Sequence, residues 1–72
     1  MTAYAVVFEQ SPRNFAAYVP DLPGCVATGA TRADVERNIK EAIAFHIDGL
    51  RLEHQPVPPP SSWTGLVEPP AT

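Results

Sequence analysis

Cys25, His46 and His54 carry the most reactive side chains of this chain. A thiol within reach of an imidazole makes a nucleophile and its base, so Cys25 with either histidine is the first catalytic pair to weigh. The same residue types also bind zinc. A structural zinc site, however, takes about four Cys, His or carboxylate ligands at tight spacing, and these three are too few and too scattered. Cys25 is the single cysteine, so no intramolecular disulfide can form, and a lone thiol fits a reducing compartment. It is expected to pack as a small apolar residue at a strand start. His46 falls within a helical apolar stripe and is expected to be a neutral core histidine with one ring nitrogen hydrogen-bonded. His54 is expected to be solvated at the helix end, where a cation is mildly favoured.

The carboxylates could instead serve a two-metal nuclease. Such a site needs several acids converging on paired ions. Glu9 and Asp21 stand at strand ends with no carboxylate companion on the buried face of the helix. Asp34, Glu36, Glu41, Asp48 and Glu53 mostly interleave with Arg32, Arg37, Lys40 and Arg51 and read as a solvated face. No catalytic residue, metal or cofactor is expected.

The elements that would position these residues follow from local patterns. Residues 3–9, Ala-Tyr-Ala-Val-Val-Phe-Glu, read as a strand, with Tyr4, Val6 and Phe8 on one face and Ala5, Val7 and Glu9 on the other. A Gln10-Ser11-Pro12-Arg13-Asn14 turn cluster connects it to a second strand over residues 15–19. Both strands carry apolar residues on both faces, where a half-buried sheet would alternate. The second face is therefore expected to be covered by another chain. Pro23-Gly24 fits the centre of a type II turn, and a third short strand runs from Cys25 to Thr28.

Thr31 caps one long helix that reaches about Glu53, and Asp34 three positions on makes a weakened capping box. Val35, Ile39, Ala42, Ile43, Ile47 and Leu50 recur at i, i+4, i+7, i+8, i+12 and i+15, a single stripe at helical period. Gly49 interrupts it, so either a neighbour packs closely there or the helix frays early. Gln55 to Ser62 is a proline-rich, extended return that acts as a spacer. Trp63 to Val67 is expected to form a final strand beside the first, with Trp63 closing the open end of the core. The fold class is thus α+β, of order β-β-β-α-β, with a small, mostly antiparallel sheet and one helix on one face. Residues 1–68 are expected to form a single domain and residues 69–72 a tail.

With 72 residues, the chain buries only about 60% of its unfolded surface, and a support such as oligomerisation is expected. The formal net charge is −3, from 5 Lys and Arg against 8 Asp and Glu, with no basic cluster to neutralise phosphates, so direct nucleic-acid binding is not expected. No apolar run is long enough to span a membrane, and the N-terminus lacks a signal-peptide layout, so a cytoplasmic location is expected. The remaining candidate for function is a protein-binding surface at Tyr18, Pro20, Asp21, Leu22, Pro23 and Gly24. A rigid turn displaying Leu22 would lose little entropy on binding. The alternative is that Leu22 tucks under the helix and the motif only shapes the turn.

Two stretches, Pro20-Asp21-Leu22-Pro23-Gly24-Cys25 and Ala42-Ile43-Ala44-Phe45-His46-Ile47-Asp48-Gly49-Leu50, followed by Gln55-Pro56-Val57-Pro58-Pro59-Pro60-Ser61, give a specific pattern. In that order and spacing, the chain resembles the HicB antitoxin family over roughly residues 4–61. The resemblance implies a partial RNase H-like fold without enzyme activity. It also implies a partner: a small HicA-type ribonuclease toxin with a catalytic histidine, which the antitoxin binds and silences. Many members add a DNA-binding domain after this unit; the sequence to Thr72 shows none, so promoter binding is not expected. The other reading is a homo-oligomeric structural module with no toxin.

Overall fold

The computed structural model describes residues 3–71. Three strands, β1 (Val7–Gln10), β2 (Phe15–Tyr18) and β3 (Val26–Gly29), precede one helix, α1 (Arg32–Leu52). The sheet is antiparallel in the order β1-β2-β3. Val7 stands opposite Tyr18 and Phe8 opposite Ala17; Tyr18 stands opposite Val26 and Ala17 opposite Ala27.

Each turn is held by its own residues. At the first, the Ser11 N–H donates to the Asn14 carbonyl at 2.9 Å, and the Ser11 hydroxyl donates to Asn14 Oδ1 at 2.8 Å. Between β2 and β3 two turns follow in succession. Leu22 N–H donates to Val19 O at 3.1 Å, and Cys25 N–H donates to Leu22 O at 3.0 Å. The second encloses Pro23-Gly24, and Gly24 takes φ +85°, as a type II turn requires. These turns consume the chain after Tyr18, so residues 4–6 find no ladder partner. The first strand therefore starts at Val7 rather than Ala3, while Tyr4 and Val6 still pack on the core.

Thr31 caps α1: its hydroxyl accepts from the Asp34 N–H at 3.1 Å. The Asp34 carboxylate pairs with Arg37 at 2.8 Å. At the other end His54 takes φ 57°. The His54 N–H donates to Arg51 O, and the Gln55 N–H donates to Leu50 O. That is a Schellman ending with His in the place usually held by Gly. Gly49 neither frays the helix nor admits a neighbour, because the space where its Cβ would stand is open. At Gly29 the opposite holds: a Cβ would lie 2.5 Å from the Val35 backbone nitrogen. The close approach of β3 to the helix start needs glycine there.

The helix lies over β2 and β3. Its 21 residues measure ~31 Å, whereas each strand has 4 residues and spans ~13 Å. The stripe is consequently buried only where it meets the sheet. Val35 and Ile39 join Ala17, Val19, Leu22 and Cys25 in the enclosed core, and Ala42, Ile43 and Ile47 are half-buried beside it.

The expected final strand is corrected. Residues 63–67 pair with no strand among the described residues. Trp63 is 87% exposed and Leu66 and Val67 still more so, so Trp63 does not close the core. The radius of gyration, 14.3 Å, exceeds the ~11 Å of a compact chain of this length.

Candidate functional site

The return segment shapes the surface around the Pro20–Gly24 turn. Tyr4 donates its hydroxyl to the Pro58 carbonyl. Three residues later both Ser61 and Ser62 bind the Asp21 carboxylate. The two backbone N–H groups donate to Oδ2 at 2.8 and 2.9 Å, and the two hydroxyls donate to Oδ1 at 3.0 and 2.8 Å. The proline-rich chain thus crosses one end of the sheet, from the approach to β1 to the β2–β3 turn. Its stiffness suits a strap of fixed reach. The backbone donations from Ser61 and Ser62, with help from their hydroxyls, hold the Asp21 carboxyl down to about 2, since each bond favours the charged form.

The six residues singled out from sequence divide into three roles here. Tyr18, Pro20, Pro23 and Gly24 present exposed surface. Asp21 is half-exposed, and its carboxylate is engaged by the serines. Leu22 is 0% exposed, so of the two readings of this residue the tucked one holds and the displayed anchor does not. The two turns fold its side chain under the helix into the core. The rigid turn is real, and the surface it offers is made of Tyr18 and the prolines. Neither Ser61 nor Ser62 stood out as a functional residue. A hydroxyl pair at the end of a proline run, with a lone Asp in an upstream turn, was the available signal.

The reactive residues are placed as follows. Cys25 is buried, and burial pushes its thiol up, which disfavours the thiolate that a nucleophile requires. His46 is half-buried on the helix flank, not enclosed in the core as the stripe predicted, because the helix overhangs the sheet at that point. His54 is exposed and serves the helix ending. Glu9 and Asp21 lie at opposite ends of the sheet, since Glu9 stands beyond the Val7–Tyr18 pair in one direction and Asp21 in the other. Among the described residues no group of three or more His, Cys, Asp or Glu is placed to hold a metal ion. Two grooves flank the uncovered β1 edge of the helix. One of about 210 Å³ is lined by Phe8, Glu9, Gln10, Phe15 and Arg32, and one of about 40 Å³ by Phe8, Phe15, Arg32, Val35 and Glu36. Both are below the ~300 Å³ at which small-molecule pockets begin.

The other sheet face is open. Register and the two-residue alternation of strands put Val7, Tyr18 and Val26 side by side in one row across it, with Glu9, Ala16 and Thr28 in the next. Tyr18 is 41% and Val26 64% exposed. The inner face of β2 is thus covered by α1, which does not reach β1, and among the described residues the outer row keeps Tyr18 and Val26 exposed. No helix among the described residues is long and apolar enough to cross a membrane.

Comparison with known proteins places this arrangement. A solved chain from a HicA3 and HicB3 toxin-antitoxin complex superposes with a TM-score of 0.72 at 38% identity, over 82% of this chain and 70% of that one. A UPF0150 protein of Synechocystis is 41% identical over 56 residues, 76% of this chain and 71% of the relative. An uncharacterized 14.9 kDa protein from the rep-hol intergenic region of Haemophilus phage HP1 is 36% identical over 55 residues; the match takes in 76% of this chain but 41% of the phage protein. The sequence model described as the HicB_like antitoxin of bacterial toxin-antitoxin system matches residues 4–71. The chain belongs to the HicB-like antitoxin family.

Proposed function

We propose that this protein neutralises a small HicA-type ribonuclease by binding it and screening RNA from its catalytic histidine, acting in the cytoplasm and supplying no chemistry of its own. The observation that carries this reading is the likeness in sequence and fold to a chain solved in a HicA3–HicB3 complex. Charge supports it. A protein that cuts RNA is basic where it holds phosphate, and a net charge of −3 steers this chain toward such a surface. Steric inhibition needs only area, about 1,200–2,000 Å² in total for a specific pair.

Tyr18, Pro20, Pro23 and Gly24 are the contact residues of this reading. They are exposed, and the turns and the Asp21–serine bonds hold them rigid, so little entropy is lost on binding. Co-expression with the reading frame next to this one tests it. That frame should be toxic alone and harmless with the wild type. Pro23→Lys keeps Gly24 for the turn and puts a cation where a basic partner would sit. It should weaken protection, slow association, and leave the fold within ~1 kcal/mol of wild type. Wild-type association should slow as salt rises. A frame that is harmless alone refutes the toxin reading; full protection by Pro23→Lys refutes the contact assignment.

A second copy of the chain is the other proposed partner. The open apolar row and the small core favour a homo-oligomer, and the mass in solution tests it.

A further inference from the structure

We propose that residues 63–67 are an exchange arm: in a dimer of this chain, each copy's arm covers the Val7–Tyr18–Val26 row on the open sheet face of the other. This deepens the second-copy reading above and does not depend on the toxin; in such a dimer the arm covers Tyr18 and leaves Pro20, Pro23 and Gly24 for a toxin.

The arm is Trp63-Thr64-Gly65-Leu66-Val67, uncharged and followed by Glu68. Among the described residues it joins no strand ladder, and Trp63, Leu66 and Val67 are 87, 105 and 91% exposed. Large apolar side chains left this open mark an interaction site. The root of the arm is fixed, because Ser61 and Ser62 are tied to Asp21 by four hydrogen bonds. The arm therefore leaves the domain at a defined place, directly after the anchored Ser62.

The receptor lies near that place. Tyr18 is at the end of β2 that runs into the Asp21 turn, and Val7 and Val26 are its cross-strand partners. The apolar row is thus at the arm's end of the sheet, while the row holding Glu9 and Thr28 is farther away. Each copy leaves Tyr18 and Val26 of its own row exposed, at 41 and 64%, while Val7 is half-buried. Arm and receptor on one surface make a self-complementary patch, the requirement for a two-fold dimer. An uncharged apolar arm matches this row rather than a basic, phosphate-holding surface.

The area stands at the lower limit of a stable pair. An interface of standard size needs about 600–1,000 Å² per copy. The exposed fractions of Trp63, Tyr18, Val26, Leu66 and Val67, applied to about 150–250 Å² for each aromatic and ~100 Å² for each aliphatic side chain, offer roughly 450–600 Å² per copy, so the dimer is a weak one. Trp63 is the only tryptophan, so its fluorescence reports the arm directly.

Purified full-length protein, without toxin, should be followed by light scattering and tryptophan emission from low micromolar to near-millimolar concentration. A dimer should appear, with Trp63 emission shifting to the blue in step with it. Trp63→Ser and Val26→Asp should each raise the dimer dissociation constant about tenfold or more. Because both side chains are exposed in the single copy, the dilute urea midpoint should stay unchanged. A monomer at every concentration overturns both the second-copy reading and the arm. A dimer whose Trp63 emission stays that of exposed indole, or which tolerates both substitutions, overturns the arm alone. A blue shift that appears only on adding a basic ribonuclease also overturns it.

Discussion

Leu22→Ala should destabilise this protein severely, although Leu22 sits in a loop between two prolines. The side chain is 0% exposed and packs with Val19, Cys25, Val35 and Ile39. Deleting it removes the transfer free energy of the lost methyl groups and leaves a cavity under the helix, together ~2–5 kcal/mol. A domain of 72 residues has a total stability of only ~4–11 kcal/mol, so the loss is a large part of the whole. At an m value of ~1 kcal/mol per molar urea, the midpoint should fall by about 2 M or more. Leu52→Ala is the matched control. It deletes the same atoms at a side chain 82% exposed and should move stability by no more than ~0.5 kcal/mol. Helical circular dichroism against urea, on dilute protein to keep association out, reads both. Equal midpoints would show that Leu22 is not the keystone of the turn, and the account of how this loop is ordered would fall.

The Asp21 latch should respond to acid. Its carboxyl is held down to about 2, below the usual carboxylate range, so its contribution is full above that range and is lost as pH falls toward 2. Protection of the Ser61 and Ser62 amides against hydrogen exchange should fall over that interval, and Asp21→Asn should remove the dependence; protection independent of pH would contradict the latch. The same substitution at two glycines should have opposite effects in urea. Gly29→Ala, which forces a Cβ to within 2.5 Å of the Val35 backbone, should cost ~1–3 kcal/mol, whereas Gly49→Ala, facing open space, should add up to ~1 kcal/mol.

What the sequence determined by itself was whatever depends on near neighbours in the chain. The helix from Arg32 to Leu52 is written in a stripe at period 3.6 and in the Thr31 cap, both decided within about four residues. The type II turn is written in Pro23-Gly24, since one residue fixes φ and the next tolerates its positive value. Three antiparallel strands follow from short β-prone runs between turn residues, and two linked stretches of residues identify the family. What only the tertiary structure decided depends on groups far apart in the chain. Asp21 finds Ser61 across 40 positions, and no local pattern encodes that meeting. Leu22 turns inward because two successive turns share its backbone, and His46 is half-covered because the helix outruns a sheet of four-residue strands. Residues 63–67 have strand composition, yet a strand exists only with an edge to pair with. The proline strap spends its length crossing the end of the sheet, and residues 63–67 join no edge of it.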